Sequence, residues 1–198
     1  MNASGSSALP RLWLVRHAAP QIAPGRCYGR LDVPAEPEAT RQAARALAPA
    51  LPARLAAVHH STLQRCEQLA LVLQGLRPDL TLQPDARLVE MDFGRWEGRP
   101  WDAIARAEID AWAAQLPRHA PGGGEALADM LARVAEALAA ARRQAAMGGD
   151  VVWLTHAGVA RCVQWLLRHG GARLPRAGDW TLPAPAYGRW MSVPLAPG

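Results

Sequence analysis

Arg16-His17 closes a short apolar run, Leu12-Trp13-Leu14-Val15, and two further apolar runs stop in the same way. Leu55-Ala56-Ala57-Val58 ends at His59-His60-Ser61, and Val151-Val152-Trp153-Leu154 ends at Thr155-His156. A neutral imidazole is a competent nucleophile towards phosphorus, since its ordinary pKa of about 6.5 leaves it largely unprotonated near pH 7. Guanidinium groups offer paired N–H donors that match phosphoryl oxygens, and all 22 basic residues of this chain are arginines. Arg16 stands beside His17, and Arg65 follows Ser61 by four residues, near the start of the helix expected there. A second imidazole, protonated, would offset charge on the equatorial oxygens of a reacting phosphoryl group. Arg16-His17 therefore reads as a phosphate-binding and nucleophilic pair with Arg65 and His156 as partners. The chemistry implied is that of a histidine-dependent phosphohydrolase or phosphotransferase.

Such residues need a scaffold that gathers them from positions about 140 residues apart. Short, continuously apolar runs are the pattern of strands buried on both faces of a parallel sheet. Between them lie helical stretches over about 38–51, 62–76 (with Ser61 as its N-cap), 125–147 and 159–168. Residues 81–83 and 87–89 read as short extended pieces, and a final strand is expected near 190–193. Strand–helix alternation at this spacing implies an α/β fold: a three-layer αβα sandwich with a mainly parallel central sheet. The tryptophan-containing stretch of about 91–124, ending in Gly122-Gly123-Gly124, reads as a small helical cap insertion. The expected organisation is a flexible tail over 1–10 and a single domain over 11–198. In open α/β sheets ligands bind at the carboxyl ends of the strands, where helix N-termini also aim N–H groups at an anion.

Composition narrows the classes. A net charge of +5 with a pI near 10.0 would suit a nucleic-acid partner, but the arginines are spread along the chain and the aromatics are mostly tryptophan. Abundant Ala, Pro and Gly make a biased composition an equally good source of the arginine excess. A nucleic-acid partner is not expected. Cys27, Cys66 and Cys162 are far apart and form no C-x-x-C, so neither a disulfide framework nor a zinc site is indicated. No apolar run reaches the ~18 residues of a membrane span, and Met1–Ser7 lacks a signal-peptide core. A cytoplasmic protein without membrane attachment is the reading.

The motifs Leu-Val-Arg16-His17, Ser61-Thr-Leu-Gln-Arg65, Glu90-x-x-Phe-Gly94-x-Trp96-Glu97-Gly98, Gly123-Gly124-Glu125 and Thr155-His156-Ala-Gly158 together resemble the histidine phosphatase superfamily. That group includes cofactor-dependent phosphoglycerate mutases and α-ribazole phosphatases. The resemblance covers about residues 11–168 in order and spacing. It implies that His17 is the phosphorylated nucleophile and that Arg16, Arg65 and His156 form the phosphate pocket. It further implies that Glu90 donates a proton to the leaving oxygen and then serves as base for water. Tyr28, Arg30 and Gly158 join Arg16 and Arg65 as substrate-binding candidates, with a small phosphate ester as partner and no metal or cofactor. Two departures stand out: Ala18 replaces the usual Gly after Arg-His, and the Asn common shortly afterwards is absent. The second makes mutase activity less expected, whereas Cys27-Tyr28-Gly29-Arg30-Leu31-Asp32-Val33-Pro34 is closer to the α-ribazole phosphatase branch. A mutase, a broad sugar-phosphate phosphatase and an inactive phosphate-binding protein remain alternatives.

Other residues have plainer readings. One of His59 and His60 is expected at the site rim and the other in the core, while His119 and His169 read as exposed. Arg30 and Asp32 suit substrate contact and turn formation equally. Glu97 is expected to pair with a nearby Arg. Trp96, Trp101 and Trp112 read first as packing anchors, with stacking on a flat leaving group as the sharper alternative.

Overall fold

The structure, a computed structural model, describes residues 9–196. The expected tail over 1–10 lies outside the described residues apart from Leu9 and Pro10. Five strands, β1 (Arg11–Arg16), β2 (Leu55–His60), β3 (Leu82–Pro84), β4 (Asp150–Thr155) and β5 (Trp190–Pro194), form one sheet in the order β3-β2-β4-β1-β5. Every pairing is parallel except that of β5 with β1. Helices α1 (Pro37–Leu47), α2 (Gln64–Leu76), α3 (Arg106–Ala114), α4 (Leu127–Ala146) and α5 (Ala157–His169) complete the fold.

Strand side chains alternate between faces. Leu12, Leu14, Val151 and Trp153 join α4 and α5 in one core. Val15, Val58, Val152 and Leu154 join Leu47 of α1 and Leu69 and Leu73 of α2 in the other. Both faces are covered, which is why the middles of β1, β2 and β4 are continuously apolar. The chain leaves β1 for α1 on one face and leaves the neighbouring β4 for α5 on the other. This is a topological switch point, and it opens a crevice beyond the carboxyl ends of those two strands.

Register then sets the site. Arg16 lies opposite Thr155, so His17 and His156 follow side by side, tied by the 3.1 Å bond from His17 N–H to the Thr155 carbonyl. His60 lies opposite Leu154, whose carbonyl accepts from Ser61 N–H at 2.9 Å.

Several boundaries differ from expectation. The first helix stops at Leu47 rather than Leu51, because Pro49 lacks an N–H and disfavours helix in the residue before it. The second strand runs on through His59 and His60. Residues 86–88 form a 3-10 turn capped by Asp85 rather than an extended piece. The second helix begins at Gln64, and Ser61 is not its cap: Leu63 occupies that position, and the Asp32 carboxylate accepts from Gln64 N–H at 2.8 Å. Residues 91–124 hold α3 and short 3-10 turns, with Trp96 and Ile104 packed on Cys27 in a separate small cluster. No helix among the described residues is long and apolar enough to cross a membrane.

Candidate active site

His17 is the first residue past β1 and is buried. Its Nδ1 lies 2.6 Å from the Ala18 carbonyl oxygen. A carbonyl can only accept, so Nδ1 carries the proton and the lone pair resides on Nε2. Burial, then the positive charge of Arg65, pulls the His17 pKa down to about 3, with Arg16 adding to the fall against the opposing Ala18 hydrogen bond. The ring is therefore neutral throughout the physiological range, with one committed nitrogen and one available for attack. Ala18 itself is buried, and no non-glycine residue among those described has a positive φ. The absent glycine therefore costs nothing in backbone strain.

His156 caps α5 and is also buried, its ring centroid 5.1 Å from that of His17. Its Nε2 lies 2.8 Å from Ser61 Oγ, which also accepts from Leu63 N–H at 3.3 Å, just short of the first residue of α2. Burial above all, then Arg65 and His17, hold its pKa well below the ordinary value. Protonation of this second imidazole thus awaits an anion that offsets the neighbouring cations. His156 Nδ1 has no partner among the described residues, and neither do Arg16 Nε and Arg65 Nε. Two guanidinium N–H donors and one imidazole nitrogen, all buried around one nucleophile, lack partners among the described residues. An oxyanion would satisfy this arrangement once that imidazole carries its proton on Nδ1.

Arg65 lies in the first turn of α2, fully buried, with Nη1 and Nη2 donating to the carbonyls of Leu31 and Gly29 at 2.9 and 2.5 Å. Arg16 donates from Nη1 to the Pro185 carbonyl at 3.2 Å, and its Cζ stands 3.8 Å from the Tyr187 ring centroid. Among the described residues neither guanidinium forms an ion pair with a carboxylate. Glu90 is held by the N–H groups of Gly158 (2.9 Å) and Met91 (3.1 Å). A side chain at 158 would collide with that carboxylate, so Gly158 secures Glu90 as well as opening α5 to the site.

These residues line one side of a cavity of about 370 Å³: Arg16, His17, Arg65, Glu90 and Gly158. Tyr28 also lines it, with Phe93, Trp101, Trp112 and Trp180 as an aromatic wall. His156 lies behind His17 and is not part of the lining. Arg30 is not in the cavity either; it is exposed, 3.8 Å from Asp92. Glu97 has no Arg side-chain partner among the described residues: its carboxylate accepts from the N–H groups of Gly29, Arg30, Leu31 and Phe93. Trp96 is a buried anchor donating to Glu108, whereas Trp101 and Trp112 reach the cavity. His59 meets Gln144 and His60 meets the Ser61 carbonyl, and neither lines the cavity. His119 and His169 are partly buried, His169 against Trp165 at 4.2 Å between ring centroids.

Sequence reasoning missed Tyr187. The chain has two tyrosines, and they meet at the cavity with their hydroxyls 2.5 Å apart. Tyr187 arrives because β5 runs antiparallel to β1, bringing the start of β5 to the end of β1. The turn Pro185–Gly188 is then strapped to the Arg16-His17 pair by the Arg189 carbonyl on Arg16 N–H (2.9 Å) and Gly188 N–H on the His17 carbonyl (3.0 Å). A Pro-Ala-Tyr-Gly turn before an expected strand was the available signal, and it says nothing of the partner strand.

The sequence profile described as Histidine phosphatase superfamily (branch 1) matches residues 12–182. Among solved structures, a mycobacterial glucosyl-3-phosphoglycerate phosphatase is 28% identical with a TM-score of 0.75, over 92% of this chain and 89% of that one. The same phosphatase has also been solved in complex with inorganic phosphate. An α-ribazole phosphatase from Shigella flexneri is 25% identical with a TM-score of 0.75, again over 92% and 89%. TTHB049 from Thermus thermophilus is 27% identical with a TM-score of 0.67, over 92% of both chains. No curated protein matches the sequence at a significant level.

Proposed function

Because the chain belongs to the histidine phosphatase superfamily, branch 1, we propose that it hydrolyses phosphomonoesters through a phosphohistidine formed on His17 Nε2. One observation carries the reading. A neutral imidazole with its Nδ1 proton fixed on the Ala18 carbonyl lies in a pocket with two guanidiniums that have no carboxylate partner among the described residues. Nε2 attacks phosphorus while the ester P–O bond breaks, and the departing oxygen takes a proton from Glu90. Water then attacks the phosphohistidine, giving its proton to the Glu90 carboxylate, and the P–N bond breaks to release inorganic phosphate. Arg16, Arg65 and His156 stabilise the charge on the transferring group at each step. The enzyme is thus a phosphomonoesterase of the histidine acid phosphatase type. We read residues 11–198 as its single domain with 91–124 as the cap, in a cytoplasmic setting that suits three free cysteines.

The substrate we assign is α-ribazole 5′-phosphate, an intermediate of cobalamin biosynthesis. Support comes from the Cys27–Pro34 loop and from the Phe93, Trp101 and Trp112 wall, against which a flat base can lie. A sugar-phosphate substrate is the second reading, favoured by the likeness to the mycobacterial phosphatase. A panel of metabolite phosphates at equal concentration, with His17→Ala as control, tests both. Fastest turnover of α-ribazole phosphate is expected; faster turnover of another ester removes that assignment, and full phosphate release by His17→Ala removes the mechanism.

A further inference from the structure

We propose that Glu97 is a positioning residue for Arg65, acting through the peptide units of Gly29 to Leu31. The inference rests on the reading of Arg65 as a phosphate-binding group. Arg65 is fully buried, and its direct acceptors are two neutral carbonyls, Gly29 O and Leu31 O. The N–H side of the same peptide stretch faces Glu97. Oε2 accepts from Gly29 N–H (2.9 Å) and Leu31 N–H (3.2 Å), while Oε1 accepts from Arg30 N–H (2.9 Å). One short backbone segment therefore has an anion on its amide side and a cation on its carbonyl side.

Hydrogen bonds in such a chain polarise one another. The Arg30 amide bonded to Glu97 belongs to the same peptide unit as the Gly29 carbonyl, so the carboxylate makes that carbonyl a better acceptor for Arg65. The Gly29 and Leu31 amide bonds hold the flanking units, and with them the Leu31 carbonyl, in place. Glu97 thus supplies, through the backbone, the counter-charge that Arg65 lacks in direct contact. It also fixes the guanidinium's angle, since both Nη groups are held by carbonyls two residues apart. The segment has little freedom to relax, because a Cβ on Gly29 would stand 2.7 Å from the Phe93 ring. Phe93 N–H is the fourth donor to Glu97, at 2.9 Å, so the same carboxylate ties this segment to the cap. That last bond gives Glu97 a structural role as well, and the test must separate the two.

The test is a double-mutant cycle of Glu97→Gln with Arg65→Ala, read as kcat/KM for p-nitrophenyl phosphate and alongside it as Tm. With Arg65 present, Glu97→Gln is expected to lower kcat/KM about tenfold, roughly 1.4 kcal/mol of transition-state stabilisation. With Arg65→Ala the same change is expected to cost less than twofold, while the fall in Tm is similar in both backgrounds. Equal fold-losses in the two backgrounds, or no loss with Arg65 present, would overturn the proposal. Should Glu97→Gln fail to fold, Glu97→Asp keeps the charge but falls short of the amides, and the same cycle with the same outcomes applies. A His17→Ala protein that retains activity would instead sink the phosphohistidine reading, whatever the cycle gives.

Discussion

Tyr187 lends itself to a quantitative test, because its ring and its hydroxyl do separable things. The Arg16 guanidinium carbon lies 3.8 Å from the ring centroid, well inside the ~6 Å range of cation–π attraction. Tyr187 is 41% exposed, so the contact belongs nearer the exposed end of the range than the desolvated end: about 1 kcal/mol. If that restraint on Arg16 is felt fully in the transition state, losing it costs about fivefold in kcat/KM. Tyr187→Leu removes the face and keeps apolar bulk. Tyr187→Phe keeps the face and loses only the contact with the Tyr28 hydroxyl. Steady-state phosphate release should therefore fall about fivefold for Tyr187→Leu and less than twofold for Tyr187→Phe. Both strap bonds are backbone to backbone and survive either change, so Tm should move by no more than a few degrees. Equal losses for Phe and Leu would refute the stacking argument and shift the role to the hydroxyl pair.

Acid should destabilise the protein over a defined window. His17, whose pKa is drawn down to about 3, and His156, also lowered, stay neutral in the fold while the unfolded chain protonates them near 6.5. Stability is unaffected by these groups above pH 6.5 and falls as pH drops from there towards 3; urea titrations at several pH values should show a shallower fall in His17→Gln by about one proton. Trp96→Ala should cost about 3–5 kcal/mol in urea, as removal of a fully buried indole does. Trp101→Ala, at a ring 37% exposed that meets Phe93 and Trp96 edge-on, should cost less, about 1–2 kcal/mol, and raise KM severalfold for aromatic phosphomonoesters, with little change for small aliphatic ones. Ala18→Gly, restoring the residue more usual after Arg-His, should bring no gain in kcat and lose up to about 1 kcal/mol of stability, since this backbone needs no positive φ.

What the sequence made legible was what is written locally. Strands buried on both faces must be apolar throughout, so β1, β2 and β4 stood out, and so did the polar residues at which they stop. Register is not local. That His17 and His156 come side by side depends on Arg16 facing Thr155 across the sheet, and only the shared motif suggested it. Ser61 shows the conflict plainly: as an isolated serine before a helical stretch it is a good cap, but the helix begins only at Gln64, and its hydroxyl bridges Leu63 N–H and His156, 95 residues away. Glu97 was misread for a related reason. Arginines near it in sequence suggested an ion pair, whereas its partners are backbone amides, which every residue but proline carries. Arg30 was placed in the site by its loop, yet the chain bends at Gly29–Leu31, where three successive N–H groups turn to Glu97, and the Arg30 side chain is exposed beside Asp92, off the cavity that Tyr28 lines.

The energetics of the site explain why it collects such partners. Burying the Arg65 guanidinium without a carboxylate is costly, and setting the half-buried Arg16 beside it and a pair of imidazoles is costlier still. Every contact that fixes these groups is therefore to something neutral or remote: carbonyls of Gly29, Leu31 and Pro185, the face of Tyr187, a serine hydroxyl. A carboxylate placed directly on Arg16 or Arg65 would stabilise the empty protein, but it would occupy the donors that a phosphoryl group must use. It would also raise the affinity of His17 for a proton and so weaken the nucleophile. Neutral acceptors orient the cations without quenching them, leaving the field in the cavity for the substrate to neutralise. The pKa of His17 is lowered first by burial and then by these unquenched cations, whose Nε groups, like His156 Nδ1, have no partner among the described residues. The site is complete only with an anion in it.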